Sequence, residues 1–232
     1  MKIEEEQGLL TKFKEAHFTM VALGDSNTEQ NHWTGAGLNW LGMVSVNIRS
    51  VCRNGYTIIN SGVSGDTAAG ALGRIDRDVL RFAPDQVIIA FGLNDSCLDP
   101  SPESFIKNLD ALVKKMQSAG SDVLLRTPNP IIDMSTGHEL HQVESRTYHV
   151  KAYADATVKY ATENQLPVVD HYAAWTRSMK SIYAGELMLL MGNTMHPNSC
   201  GHRRFYHELA PALGLDDSLP YEFNHLIDRE HL

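Results

Sequence analysis

The sequence predicts a single α/β domain built on a five-stranded parallel sheet. Five short apolar runs have the composition of strands buried on both faces, and they span residues 18–23, 57–59, 86–91, 122–125 and 166–170. Segments of helical periodicity separate these runs, and such alternation is typical of a parallel sheet with helices on both faces. The length of 232 residues fits one large domain over residues 1–232.

Apolar spacing predicts five helices, over residues 38–52, 71–82, 102–119, 148–164 and 201–213. The second has one apolar stripe, formed by Leu72, Ile75, Val79 and Phe82. For the third, Ser101 is the expected N-cap and Pro102 the first helical residue. We expect residues 1–16 to form an N-terminal helical extension and residues 216–232 a C-terminal extension.

Composition and charge disfavour several classes of partner. The formal net charge is −8 and there is no long basic run, which disfavours nucleic acid and anionic membranes but allows a neutral small molecule. Three cysteines without a CxxC pair argue against a disulfide framework and a thiolate zinc site. The acidic first residues and the lack of a long apolar stretch lead us to expect a soluble cytoplasmic protein. The C-terminal extension leaves a homo-oligomer open.

Four polar clusters contain the residue types that perform chemistry. Residues 24–28, 61–67 and 92–95 each come directly after a predicted strand, and residues 195–198 lie near the C-terminus. Ligands of parallel α/β sheets bind beyond the carboxyl ends of the strands. The first three clusters are therefore expected at one edge of the sheet.

Together the clusters supply the parts of a serine acyl-transfer site. Ser26 is the candidate nucleophile and His196 the candidate general base. Candidate oxyanion donors are the backbone N–H groups of Ser26 and Gly65 and the side-chain amide of Asn94. Each has a structural alternative: a helix N-cap for Ser26, a tight turn for Gly65, a loop contact for Asn94 and a surface position for His196. The combination favours the catalytic interpretation.

The clusters resemble the sequence blocks of the SGNH hydrolases, also called GDSL-type esterases and lipases. Residues 24–28 are similar to the family's serine block, and residues 60–67 to its glycine block, with Gly65 as the oxyanion glycine. Residues 92–95 are similar to the asparagine block, and the segment around His196 to the histidine block. The resemblance implies a flavodoxin-like three-layer α/β/α sandwich without a metal or organic cofactor. It also implies a small-molecule ester substrate, such as an O-acetyl or short-chain acyl group on a carbohydrate.

One position departs from the family pattern. Asn193 stands three residues before His196, where the family usually has an aspartate. An asparagine oxygen can accept the histidine Nδ1–H without adding charge, whereas the reversed amide favours the wrong tautomer. Three interpretations are open: a Ser26–His196 dyad oriented by Asn193 or a backbone carbonyl, a substitute acid from Asp170 or Glu186, or a weakened or inactive binding protein, natural or engineered. We favour the first two, because every other part is present.

Trp33 is the candidate residue of the substrate pocket. It follows the nucleophile by seven positions, and its ring is suited to stack on a sugar or to line an acyl pocket. A partly buried loop anchor is the alternative. A nucleotide or phosphate binder is a weaker functional class, because residues 61–67 lack a P-loop lysine and no GxGxxG opens a helix.

Overall fold

The computed structural model describes residue 9 and residues 17–50, 55–99, 101–180 and 184–215. This part of the chain contains nine strands: β1 (Phe18–Gly24), β2 (Tyr56–Gly62), β3 (Gln86–Ala90), β4 (Asp122–Arg126), β5 (Ile131–Ile132), β6 (Glu139–Leu140), β7 (Gln142–Val143), β8 (Arg146–Thr147) and β9 (Val168–Val169). Five of them form a parallel sheet in the order β2-β1-β3-β4-β9. The predicted α/β fold class is confirmed.

The strand order decides where a ligand can bind. Counted within the sheet alone, the order is 2-1-3-4-5, which is the flavodoxin-like arrangement. The direction of winding reverses between β1 and β3, and the crevice at the carboxyl ends of these two strands is the usual binding position in such sheets. The remaining strands form two small antiparallel pairs outside the sheet, β5 with β6 and β7 with β8.

The described residues contain eight α-helices: α1 (Trp40–Asn47), α2 (Ala68–Leu72), α3 (Ile75–Asp78), α4 (Asp95–Leu98), α5 (Glu103–Ser118), α6 (Val150–Glu163), α7 (His171–Met179) and α8 (Ser199–Leu213). Short 3-10 helices lie at His32–Thr34, Ile48–Ser50, Leu80–Phe82 and Ala184–Leu190. None of the helices in this part of the chain combines the length and apolar character needed to cross a bilayer.

Alternate residues of the central strand enter two separate cores. Phe18, Met20 and Ala22 of β1 pack with α1, α7 and α8 on one face of the sheet. Val21 and Leu23 pack with α2, α3, α5 and α6 on the other face. This side-chain alternation along a strand buried on both sides produces the three-layer arrangement.

The helix predicted over residues 71–82 is wrong as a single element. The segment contains the end of α2, the short α3 and a 3-10 turn, and Phe82 is 36% exposed instead of lying in the core. The break falls at Gly73 and Arg74. Arg74 turns back to donate to Asp66 Oδ2 (2.7 Å) and to Ser61 O (2.9 Å). These bonds to the glycine cluster, residues 61–67, override the helical periodicity.

Other boundaries differ from the predictions by small amounts. α1 begins at Trp40 and ends at Asn47, and the predicted residues 51–52 lie outside the described part. Pro102, not Ser101, is the N-cap of α5, although Ser101 Oγ still accepts the Glu103 N–H at 3.4 Å. α7 was not among the predicted helices. The two extensions also lie outside the described residues, apart from Leu9, whose N–H donates to the C-terminal end of α8.

Candidate active site

Three polar clusters follow three neighbouring strands. They are the nucleophile cluster (residues 24–28), the glycine cluster (residues 61–67) and the asparagine cluster (residues 92–95). Gly24 at the end of β1 is in register with Gly62 of β2 and with Ala90 of β3. Adjacent strands lie about 4.8 Å apart, so residues shortly beyond these positions meet at one edge of the sheet. The candidates follow the paired positions by two, three and four residues: Ser26, Gly65 and Asn94.

Hydrogen bonds join the three clusters to one another. The Val63 N–H donates to Gly24 O at 3.0 Å, which ties the glycine cluster to the end of β1. Asn94 Nδ2 donates to Asp66 O at 2.9 Å, which ties the asparagine cluster to the glycine cluster. The relative positions of the clusters are therefore fixed by direct contacts as well as by strand register.

Ser26 and His196 are in direct contact. His196 Nε2 lies 2.9 Å from Ser26 Oγ, although 170 residues separate them along the chain. Ser26 lies in the turn after β1 and does not cap a helix, because the 3-10 helix that follows has Asn31 as its N-cap and α1 has Asn39. The buried serine hydroxyl is placed to donate its proton to an imidazole nitrogen.

Asn193 orients His196 through its side-chain oxygen. Asn193 Oδ1 accepts the backbone N–H groups of Met195 (2.8 Å) and His196 (2.7 Å), and it lies 3.1 Å from His196 Nδ1. Two backbone donors point at this atom, so the reversed amide would place its NH₂ against them. The imidazole therefore carries its proton on Nδ1, and Nε2 is left to accept from Ser26.

Neither proposed substitute acid contacts the histidine. Asp170 is the N-cap of α7, where its Oδ1 accepts a backbone N–H and a threonine hydroxyl. Glu186 is exposed on the 3-10 helix before the histidine cluster. Within the described ranges no carboxylate is hydrogen-bonded to His196, and Asn193 occupies its Nδ1 side. The geometry agrees with a dyad oriented by an amide.

Burial favours the neutral form of the candidate base His196. Burial lowers the pKa of His196, and neighbouring His32 lowers it further. His202 on α8 is also buried, and burial is the largest cause of the lowering of its pKa to about 3. A neutral imidazole is the form that can accept a proton from a serine hydroxyl.

The three candidate oxyanion donors have free N–H groups. Gly65 has φ of 76°, a left-handed conformation that favours glycine, and a Cβ there would meet nothing within 4 Å. In the part of the chain that the structure describes, the N–H groups of Ser26 and Gly65 have no hydrogen-bond partner. Asn94 uses one of its two side-chain N–H groups for Asp66, and that bond orients the other.

Sequence reasoning missed a bridge between the nucleophile turn and the histidine cluster. Asn27 Nδ2 donates to Asn129 Oδ1 at 2.9 Å, and Asn129 Nδ2 donates to Met195 O at 3.3 Å. Both asparagines are buried, and Asn129 is 1% exposed. The available signal was position, because Asn129 follows β4 at the same sheet edge as the three clusters.

Trp33 contacts the histidine face to face. Its ring lies parallel to the His196 imidazole, with 7° between the planes and 5.1 Å between the centroids. Trp33 is half-buried on the 3-10 helix after the nucleophile turn. Its predicted role in the substrate pocket stays a prediction, and its observed contact is with the candidate base.

Most of the chain matches one known protein family. The model of the GDSL-like lipase/acylhydrolase family covers residues 22–204, which is most of the chain. The chain belongs to this family. It is accordingly a carboxylic ester hydrolase of the SGNH type, and the resemblance seen in the four sequence clusters is confirmed.

Individual relatives are distant but cover much of the chain. The uncharacterised lipoprotein YqeF of Bacillus subtilis is 26% identical over 175 residues, 66% of this chain and 70% of YqeF. The acetylxylan esterase of Geobacillus stearothermophilus is 24% identical over 158 residues, 64% of this chain and 68% of that enzyme. The crystal structure of a lipase/acylhydrolase from Enterococcus faecalis superposes with a TM-score of 0.65 at 25% identity, covering 88% of this chain and all of that one.

Behind the site, this acylhydrolase contains a hydrogen-bonded row of buried and partly buried ionisable side chains that the sequence analysis did not identify. Arg126 Nε, at the end of β4, donates to His171 Nε2 at 2.8 Å, and His171 Nδ1 donates to Glu208. Arg204 Nε donates to the same carboxylate at 2.9 Å. Because an arginine can only donate, His171 accepts on Nε2 and is neutral, and burial is the main cause that lowers its pKa to about 4.

Arg126→Met is expected to lower the free energy of unfolding by about 1–3 kcal/mol, because it leaves the buried His171 Nε2 without its hydrogen-bond donor and removes a cation that attracts Glu208. Arg126 also lies between Trp40 and Phe205, 4.2 and 4.8 Å from their ring centroids. Urea unfolding measures the change. The matched control is Arg204→Met, which removes the half-exposed outer partner of Glu208 and should cost less. Equal losses in the two variants would contradict this account.

Asp25, next to the nucleophile, is a buried carboxyl with an altered proton affinity. Burial is the largest cause, and it raises the pKa of Asp25 to about 7. The backbone N–H of Asn27, which Asp25 Oδ1 accepts at 2.9 Å, acts in the opposite direction and lowers the pKa. The folded state thus binds this proton more tightly than the unfolded chain. The contribution of this proton to the free energy of unfolding is greatest below pH 3.8 and is lost as the pH rises towards about 7.

Asp25→Asn should remove this pH-dependent component, since the amide has the same shape and no charge to bury. Between pH 5 and pH 7 the loss in the parent protein amounts to about 2–3 kcal/mol, at about 1.4 kcal/mol for each pH unit. Urea unfolding of both proteins at pH 5, 6, 7 and 8 gives the contribution of Asp25 as the difference between their free energies of unfolding. The two stability curves should diverge as the pH rises; parallel curves would show that Asp25 is ionised throughout.

Proposed function

We propose that this esterase hydrolyses a small carboxylic ester, with Ser26 as the nucleophile and His196 as the general base. The substrate class is an O-acetyl or other short-chain acyl group carried by a carbohydrate or a similar small molecule. The observation that supports the reaction most strongly is the 2.9 Å contact between Ser26 Oγ and His196 Nε2. A serine hydroxyl is a weak nucleophile until an adjacent base accepts its proton.

In the acylation step, Ser26 Oγ attacks the ester carbonyl carbon as its proton passes to His196 Nε2. The carbonyl oxygen becomes an oxyanion and is held by the N–H groups of Ser26 and Gly65 and by the free N–H of Asn94. Each donor of this kind contributes about 10²–10³ in rate. His196 then gives its proton to the departing alkoxide, and the alcohol leaves.

Deacylation repeats the sequence with water. His196 Nε2 removes a proton from a water molecule that attacks the acyl-serine, and the same donors hold the second oxyanion. The proton on His196 then returns to Ser26 Oγ as the carboxylic acid is released. Throughout, Asn193 Oδ1 accepts the Nδ1–H and keeps the imidazole in the required tautomer.

Two observations support a short acyl group. A long-chain lipase needs a large continuous apolar surface, whereas the described ranges expose only five large apolar side chains: Val63, Phe82, Leu98, Met134 and Leu189. The acetylxylan esterase relative acts, by its name, on an acetylated polysaccharide.

A weakened or inactive binding protein is the alternative, and the observation that favours it is the uncharged Asn193. Against it, Asn193 Oδ1 makes the hydrogen bond to Nδ1 that the aspartate would make. The two functions differ in one result. A hydrolase releases product through a covalent acyl-serine, whereas a binding protein does not.

The test combines turnover with covalent labelling. Hydrolysis of p-nitrophenyl acetate, butyrate and octanoate should fall as the chain lengthens, and acetylated xylo-oligosaccharides should release acetate. Diisopropyl fluorophosphate should add one phosphoryl group to the peptide that contains Ser26, as measured by mass spectrometry, and abolish turnover. Absence of both turnover and labelling would establish the binding protein, and preference for octanoate would overturn the short-chain assignment.

A further inference from the structure

In the described residues no carboxylate is hydrogen-bonded to His196, but an aromatic face lies against its ring. In acyl transfer the imidazole becomes an imidazolium, and a neighbouring aspartate normally stabilises that positive charge. Here the Nδ1 side is occupied by the neutral amide of Asn193. The ring of Trp33 lies parallel to the imidazole, 5.1 Å away between centroids.

We propose that Trp33 is a positioning residue whose indole face stabilises the His196 imidazolium in place of the absent carboxylate. The proposal rests on the proposed function, in which His196 is the base. A cation within about 6 Å of an aromatic centroid is attracted by the negative face of the ring, and tryptophan gives the strongest attraction. The stabilisation is larger for the imidazolium than for the neutral imidazole, so it lowers the barrier instead of tightening the ground state.

Two sets of contacts hold Trp33 in this position. Asn31 Oδ1 accepts the backbone N–H of Trp33 at 3.1 Å, and Asn31 Nδ2 donates to Ser26 O at 2.7 Å, which fastens the 3-10 helix to the nucleophile turn. Three residues before the histidine cluster of residues 195–198, Gly192 packs against the indole. A Cβ at position 192 would come within 3.3 Å of Trp33 Cε3, so an alanine there would press on the ring.

The other titratable groups around His196 either disfavour the imidazolium or direct their polar atoms to other partners. His32, next to Trp33 on the 3-10 helix, lowers the pKa of His196 by repulsion of like charge. His202 on α8 is buried and neutral. Asp25 in the nucleophile turn directs its carboxyl to the backbone N–H of Asn27. None of these described groups stabilises the imidazolium, so the indole face is placed to add to the hydrogen bond that Asn193 Oδ1 accepts from Nδ1.

A purely structural role for Trp33 predicts the opposite sign in a titration. If the indole only covers the imidazole, its removal admits water, which relieves the burial that lowers the pKa and so raises it. If the indole face stabilises the cation, its removal lowers the pKa of His196 further. The direction of the change therefore separates the two roles.

The experiment compares Trp33→Leu and Trp33→Phe, the first keeping an apolar cover without a ring and the second keeping a smaller ring. NMR titration of the His196 ring protons, carried out in a Ser26→Ala background, needs no turnover. We expect Trp33→Leu to lower the His196 pKa and, in the Ser26 protein, to lower kcat/KM for p-nitrophenyl acetate about five- to thirtyfold. Trp33→Phe should recover part of both.

An unchanged or raised pKa in Trp33→Leu, with native thermal unfolding, would overturn the proposal. If Trp33→Leu is misfolded, the folded Trp33→Phe and Gly192→Ala variants must still show the smaller decrease in pKa, and no decrease in either also overturns it. His32→Gln is the matched control and should raise the pKa, because it removes the like charge and leaves the indole. Failure of the proposed function is seen separately, as turnover that survives Ser26→Ala.

Discussion

Replacing Ser26 with alanine is expected to lower kcat/KM for p-nitrophenyl acetate by about 10²-fold or more. Removing the nucleophile of a serine protease costs about 2 × 10⁶ in kcat. Loss of the carboxylate from such a site lowers kcat by about 10⁴. Dividing the first factor by the second leaves about 10² as the smallest rate factor that Ser26 contributes in a Ser26–His196 pair without an acid. The contact of 2.9 Å between Ser26 Oγ and His196 Nε2 is the geometry on which that contribution depends.

The measurement uses initial rates with the parent protein, Ser26→Ala and Ser64→Ala at equal concentration. Ser64 is the matched control, because it is an exposed serine in the glycine cluster outside the contacts of His196. Ser64→Ala should keep more than half of the parent rate, and thermal unfolding checks that all three proteins are folded. Equal rates in the parent and Ser26→Ala would show that hydrolysis occurs elsewhere or without the serine.

Asn193→Asp is expected to raise kcat for the same ester by about 10- to 100-fold. The full effect of a charged partner in serine proteases is about 10⁴, but much of that reflects the tautomer. Here Asn193 Oδ1, held by the N–H groups of Met195 and His196, already enforces the correct tautomer, so only the electrostatic part remains to be gained. A carboxylate at this position can accept the same three N–H groups.

The pH profile gives this prediction a second readout. A negative charge beside Nδ1 favours the imidazolium, so the pKa of His196 should rise and the acidic limb of the rate profile should move to higher pH. Asn193→Ala, which removes the acceptor without adding charge, should lower kcat. An unchanged or lower kcat in a folded Asn193→Asp protein would count against the amide as the orienting group.

Several features followed from local sequence alone. Continuous apolar runs such as residues 86–91 have no polar face to present to water, so they require burial on both sides and a parallel sheet. Ser26, Gly65 and Asn94 were placed at one edge because each follows such a run, and strand register brings them together. Family membership also followed from the clusters and was confirmed over residues 22–204.

Tertiary structure alone decided how the histidine is oriented and what surrounds it. The direction of the Asn193 amide depends on two backbone donors of a closed loop, and the parallel stack of Trp33 on His196 joins segments more than 150 residues apart. The prediction of a single helix over residues 71–82 failed for the same reason, because Arg74 departs from the helical pattern to donate a hydrogen bond to Asp66. Periodicity reports which face of a segment is buried, but it has no information on which distant side chain will complete a hydrogen bond or cover a ring.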